Sequence, residues 1–185
     1  MCENKTKLRQ AFLKIRNDIS FRAEKNCQIK QKVLELLQGK ELFSLFSYVS
    51  MGSEVDTKEI ISEFFGKTEV LIPHTEKNEM KLLPLLSLEN KLETDKKGNI
   101  YSSVDADKLL PFNGSPSVTI VPMLAFNSSL CRLGYGGGYY DKFLSKKNTL
   151  KVGIAYDEQE TDIAFNEPHD IPLDCIVTQT RIIWR

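Results

Sequence analysis

Short apolar runs, set between stretches of helical periodicity, constrain this chain more than any other feature. Leu42–Val49 is nearly continuous in apolar residues, and Val70–Pro73, Val118–Val121, Val152–Tyr156 and Cys175–Thr178 repeat the pattern at shorter length. Strands apolar on both sides are buried on both sides, as in a parallel sheet covered by helices. Two helices are expected first. Lys5 to Ile19 places Leu8, Phe12, Ile15 and Ile19 at helical spacing, with Lys5, Arg9 and Arg16 on other faces. Ser20 ends that helix and caps a second, which runs to about Gln38 with Cys27, Leu34 and Leu37 inward and Gly39 as C-cap. After the first strand, Asp56 or Thr57 caps a helix carrying Ile60, Ile61, Phe64 and Phe65, and Met80–Leu83 offers a further strand. This β-α-β order predicts a three-layer α/β fold, with a mostly parallel sheet and helices on both faces. Ile182–Trp184 is expected to close an edge, and residues 85–110 read as a surface excursion that helps wall a pocket.

The 185 residues suffice for one good core, so a single domain spanning 1–185 is expected. Net charge is zero, which argues against general attraction to nucleic acid or membrane. The balance is uneven, however: residues 1–40 carry +6 and residues 41–185 carry −6. The basic segment either faces an anionic ligand or is a solvated helix surface. Cys2, Cys27, Cys131 and Cys175 include no C-x-x-C pair, and His74 lies far from His169. Zinc spacing and a disulfide framework are therefore absent. With no apolar leader and no long apolar run, a reducing cytoplasm is expected.

One stretch calls for a functional explanation. Four of the ten glycines fall within Gly134–Gly138, between Arg132 and Tyr139-Tyr140-Asp141. Clustered glycines let backbone N–H groups crowd around an anion. Arg132 adds a permanent cation, and Asp141 a hard oxygen ligand suited to magnesium. The stretch is neither a P-loop nor a G-x-G-x-x-G fingerprint, since position 139 is tyrosine. On glycine content alone, a tight structural turn competes with a polyphosphate cradle, and the flanking charges favour the cradle. Tyr139 and Tyr140 either stack on a flat ring or pack into the core. Tyr139–Leu144 is expected to start a helix there, which places the loop at the carboxyl edge of the sheet.

Arg132-Leu133-Gly134-x-Gly136-x-Gly138-Tyr139-Tyr140-Asp141 resembles the glycine-rich motif of the 5-formyltetrahydrofolate cyclo-ligase family, also called methenyltetrahydrofolate synthetases. The resemblance extends to Lys5-x-x-Leu8-Arg9, to Val49–Glu54, to Pro122 followed by Ala125-Phe126, to Tyr156-Asp157-Glu158-Gln159, and to His169-Asp170-x-x-Leu173-Asp174. Order and rough spacing hold over nearly the whole chain.

The resemblance implies a Rossmann-like fold similar to the sugar-phosphate isomerase/CoA-transferase type. It implies an ATP-dependent ligase of one-carbon metabolism that closes 5-formyltetrahydrofolate to 5,10-methenyltetrahydrofolate. Its partners would be 5-formyltetrahydrofolate and ATP, with no nucleic acid or membrane, in a cytoplasmic monomer. Lys5, Thr6, Lys7, Leu8 and Arg9 would bind ATP together with Arg132, Leu133, Gly134, Tyr135, Gly136, Gly137, Gly138, Tyr139 and Tyr140. Val49, Glu54, Tyr135, Gly136, Gly137, Gly138 and Tyr139 would contact the folate, with Arg132 and Tyr139 catalytic. Asp141 and Asp174 would hold Mg²⁺.

Three positions depart from the family pattern. Asn127 stands where aspartate is common, so no metal role is assigned there. Met123 replaces a common glycine, and His74 stands where arginine or lysine is frequent. A missing cation at 74 would alter folate affinity or its pH dependence, while the plainer reading is a structural loop histidine. Two other classes compete with the ligase: a sugar-phosphate isomerase, which needs no ATP, and a non-catalytic relative that binds nucleotide or RNA. The near-complete set Lys5, Arg9, Glu54, Arg132 and Asp141 weighs against a degenerate site.

Overall fold

A computed structural model describes residues 2–76, 79–88 and 110–185. Helices α1 (Cys2–Asn17) and α2 (Arg22–Leu37) come first, followed by strand β1 (Ser44–Ser47) and helix α3 (Lys58–Phe64). Next come β2 (Glu69–Glu76), β3 (Glu79–Pro84), β4 (Val118–Val121) and the two-residue strands β5 (Ala125–Phe126) and β6 (Arg132–Leu133). Helix α4 (Tyr139–Leu144), β7 (Leu150–Ile154), β8 (Cys175–Val177) and β9 (Ile182–Trp184) complete the order. The main sheet has seven strands in the order β3-β2-β1-β4-β7-β8-β9. The five inner strands are parallel, and β3 and β9 are antiparallel at the edges. This is the expected mostly parallel α/β sheet.

The apolar runs account for the layering. All four residues of β1 and of β4 are buried. Successive side chains on a strand point to opposite faces. Leu45, Val118, Ile120, Val152, Ile154, Cys175 and Val177 therefore pack with Ile29, Val33 and Leu37 of α2 and Ile60 of α3. Phe46, Val121 and Ile176 pack on the other face with Phe143 and Leu144 of α4. Gly153 is needed there: an added Cβ would lie 2.4 Å from the Met123 terminal methyl.

Local expectations fared unevenly. Helix α4 and strand β4 have the boundaries read from the sequence. Ser20 does not cap α2. Phe21 takes the position before the helix at φ 55, without a side-chain cap. The inner face of α2 is Ile29, Val33 and Leu37, while Cys27 is exposed. Ile15 of α1 is also exposed, because that helix turns its Leu8 and Phe12 toward Leu124, Ala125, Cys131, Leu133 and Phe165. Apart from 85–88 and 110, the excursion at 85–110 lies outside the described residues.

The connections decide where a ligand can sit. From β1 the chain runs through α3 to β2 on one side, and the next parallel strand, β4, lies on the other side of β1. The carboxyl ends of β1 and β4 thus flank a topological switch point, where open α/β sheets leave a crevice.

Candidate active site

A cleft of 1080 Å³ opens at that switch point. Sites for small molecules run to about 300–1000 Å³, so this cleft is at the large end of that range. Tyr48 and Val49 line it just beyond β1, and Pro122 just beyond β4. Lys5, Arg9, Leu13 and Arg16 line it from α1; their spacing places them on one stripe of the helix. Glycines 134 and 136–138 supply the facing wall, with Tyr135, Tyr139, Tyr140 and Asp141.

Side chains from elsewhere tie the glycine loop down at both ends. The buried Arg132 donates from Nη2 to Asp141 Oδ1 at 2.8 Å and from Nη1 to the Ile171 carbonyl at 2.9 Å. The Ile171 N–H donates to the same Asp141 oxygen at 3.1 Å. Arg9 Nε donates to the Gly134 carbonyl at 2.9 Å. Between these anchors the backbone is left-handed at Gly136 (φ 101) and Gly138 (φ 65). A Cβ on Gly137 would lie 2.7 Å from the Tyr139 ring. Glycine is thus required by conformation at two of these positions and by close approach at the third.

The opposite wall is the turn after β1. Glu54 Oε2 accepts the Met51 N–H at 2.8 Å, so the carboxylate closes its own turn. Its other oxygen, Oε1, accepts the Tyr135 hydroxyl at 2.6 Å, which joins this turn to the glycine loop. Burial, and then the Glu54 carboxylate, push the phenols of Tyr48, Tyr135 and Tyr140 above their ordinary value. All three therefore remain proton donors at neutral pH. Tyr140 stacks on Phe46 at 6.0 Å, and its buried hydroxyl has no hydrogen-bond partner among the described residues. A buried, unpaired hydroxyl in the lining of a cleft is oriented for a ligand acceptor.

A third wall comes from the segment before β8. Lys5 Nζ lies 3.1 Å from Glu167 and 3.3 Å from Asp170. His169 Nε2 lies 3.3 Å from Glu167. Glu167, His169 and Asp170 offer ligand atoms that all lie within 4.8 Å of one another. Hard carboxylate oxygens here and at Asp141 suit a divalent cation that accompanies a polyphosphate.

Among the expected site residues, the structure brings Lys5, Arg9, Val49, Glu54, Arg132–Tyr140 and Asp141 into one cleft. It does not bring Thr6, Lys7 or Leu8 there. Thr6 and Lys7 are exposed on other faces of α1, and Leu8 packs on the core. Asp174 lies away from the cleft lining. It enters β8 beside the start of β7, at the amino edge of the parallel strands, and its Oδ2 accepts from the Lys151 N–H at 2.8 Å and pairs with Lys151 Nζ at 2.9 Å. The cleft lies at the other edge, where Asp170, four residues earlier, is part of the lining. His74 also falls outside the lining. Pro73 and Thr75 face the cleft, and strand alternation turns His74 to the opposite face. Asn127 is used locally, with Oδ1 accepting the N–H groups of Ser129 and Cys131 in the turn of the β5–β6 hairpin.

Arg16, Asn17, Tyr48, Glu167, His169 and Asp170 line the cleft without having been assigned to it. For Arg16 the signal was present in the sequence, since it continues the stripe of Lys5 and Arg9. The block Tyr156–Gln159 acts at one remove: Gln159 Nε2 donates to the carbonyls of Met123 at 2.9 Å and Leu124 at 3.0 Å, holding the segment after β4.

Comparison with known proteins follows this geometry. The model of the 5-formyltetrahydrofolate cyclo-ligase family matches residues 1–179. A 5-formyltetrahydrofolate cyclo-ligase of Mycoplasma genitalium is 49% identical over 59 residues, a match that spans 31% of this chain and 35% of the relative. The Haemophilus influenzae protein of that name is 26% identical over 92% of this chain and 95% of its own length. The structure of a 5,10-methenyltetrahydrofolate synthetase from Aquifex aeolicus superposes with a TM-score of 0.81 at 27% identity, covering 97% of this chain and 92% of that one. One from Mycoplasma pneumoniae shares the fold with a TM-score of 0.75 at 23% identity, covering 95% and 98%. The chain, matched by the family model over nearly its full length, belongs to the 5-formyltetrahydrofolate cyclo-ligase family.

Proposed function

We propose that the protein closes 5-formyltetrahydrofolate to 5,10-methenyltetrahydrofolate at the expense of ATP. The observation that carries this reading is the convergence on one cleft of three things: a basic helix stripe, a glycine loop and a carboxylate-bearing turn. The family uses ATP, and the formyl chemistry explains why. An amide oxygen is a poor leaving group. Attack of the formyl oxygen on the γ-phosphorus forms an O–P bond and releases ADP. The resulting iminium phosphate accepts the ten-position nitrogen, which loses its proton, and phosphate departs as the ring closes.

The protein needs no covalent nucleophile for this sequence. It must hold the formyl oxygen in line with the γ-phosphate and offset charge as it moves. Lys5, Arg9 and the N–H groups of the glycine loop are placed for the phosphates. Glu54 is placed for the donors of the pterin edge, with Val49 beside it as apolar wall. Arg132 fixes the loop to α4 with one donor from each terminal nitrogen, and as a cleft-lining guanidinium it would turn further donors toward the phosphates. Tyr139 sits over Gly137, where the two ligands would meet, and the Tyr140 hydroxyl is free to donate to one of them.

Asp141, Asp170 and Glu167 are the residues that would hold Mg²⁺. When bound, the ion would spread the charge of the polyphosphate. A cytoplasmic monomer, with neither nucleic acid nor membrane as partner, completes the proposal; sedimentation and cell fractionation test those points. No helix among the described residues is long and apolar enough to cross a membrane.

The decisive assay combines purified protein, 5-formyltetrahydrofolate, ATP and Mg²⁺, and follows the absorbance of the methenyl product with each component omitted in turn. Product formed only when all are present is the expected result. No product, or product without ATP, refutes the proposal.

A further inference from the structure

We propose that Arg16 is a positioning residue for the folate end of the cleft, acting through Ser53, Met123 and Tyr135 to fix where Glu54 presents its carboxylate. The inference rests on the functional reading above and assigns a role to a residue outside its ligand-binding set. Arg16 is 3% exposed. A buried guanidinium is costly unless its donors are satisfied. Among the described residues, no carboxylate lies within ion-pair distance of it. Its partners are neutral: Nε donates to Ser53 Oγ at 3.1 Å and Nη1 to the Met123 carbonyl at 3.3 Å. Its flat face lies 5.5 Å from the centre of the Tyr135 ring.

Each partner belongs to a different wall. Ser53 directly precedes Glu54 in the turn after β1, and Met123 follows Pro122 at the end of β4. Tyr135 belongs to the glycine loop and donates to Glu54 Oε1. One side chain of α1 thus sets the spacing between the pterin-reading turn, the adjacent strand end and the tyrosine that grips the carboxylate. The phosphate-facing residues Arg9 and Lys5 lie about two and about three turns away on the same helix, so the effect should be confined to the folate. Lysine at 16 would keep the charge but lose the planar fork that reaches two acceptors while lying over a ring.

The test is steady-state kinetics on Arg16→Lys, varying 5-formyltetrahydrofolate and ATP separately, with thermal unfolding measured alongside. The folate KM should rise on the order of 10-fold, as misplacement of a positioning group does, while the KM for ATP stays unchanged. In a Tyr135→Leu background the same substitution should cost less, because part of its effect passes through that ring. Equal losses toward ATP and folate, or an unchanged folate KM, overturn the inference. If Arg16→Lys does not fold, Ser53→Ala carries the test: it removes one acceptor, and an unchanged folate KM there overturns the inference as well. If the wild type makes no methenyl product, the functional reading falls and this inference falls with it.

Discussion

Two aspartates, each beside a cation, sit at opposite ends of the same parallel sheet. Asp141 pairs with Arg132 at 2.8 Å at the carboxyl edge, and Asp174 pairs with Lys151 at 2.9 Å at the amino edge. In the sequence both looked like magnesium ligands. The structure separates them by what lies next to each pair. Asp141 borders a cleft, and its arginine is almost completely buried. Asp174 ties the start of β8 to the start of β7 beside solvent. The same residue type therefore borders the cleft at one edge and ties two strands together at the other, and strand direction decides which.

Arg132→Ala should have the largest effect. The pair is only partly buried, with Asp141 24% exposed, so its loss should cost less than the about 3–5 kcal/mol of a fully buried pair, while loss of the anchor of the glycine loop should lower turnover by roughly 100-fold or more. Denaturant unfolding and the methenyl assay measure the two separately; full turnover in this variant would erase the contrast between the edges. Gly137→Ala comes next. Its new Cβ meets the Tyr139 ring, so turnover should fall by roughly 10- to 100-fold through misplacement, with the unfolding midpoint little changed. Glu54→Gln should weaken folate binding by about 10-fold, or roughly 1.4 kcal/mol, and leave ATP binding nearly intact; a calorimetric titration showing the reverse would reassign the turn. Asp174→Asn should matter least. A partly exposed ion pair contributes about 0–1 kcal/mol, and both the activity and the Mg²⁺ dependence should match the wild type. Loss of Mg²⁺ dependence in that variant would break the comparison outright.

The buried strands and the six-residue helix after the glycine loop were legible because their signals are local. Val118–Val121 is apolar throughout, and Tyr139–Leu144 follows four glycines. The paired hairpin at Ala125–Phe126 and Arg132–Leu133 was not legible, since two-residue strands leave no periodicity. The choice between Asp170 and Asp174 needed the start of β8: both acids lie in one motif, and only the strand register shows which edge each occupies. Cys27 and Ile15 misled because the apolar content of a helix does not fix the angle at which it docks. The glycine loop itself was readable, but its dependence on Arg9 and Glu54 was visible only in three dimensions.

The helix stripe at the amino terminus also bears on how the site is assembled. Arg16 meets Met123 across 107 positions, Arg9 meets Gly134 across 125, and Lys5 meets Asp170 across 165. In chain order α1 precedes all of these partners, and the farthest of them lies in the segment before β8. Contacts across such separations close the largest loops and are gained late in folding. The cleft thus depends on segments made long after α1. A chain halted before residue 170 can lay down most of the sheet but cannot complete the wall that faces its own first helix.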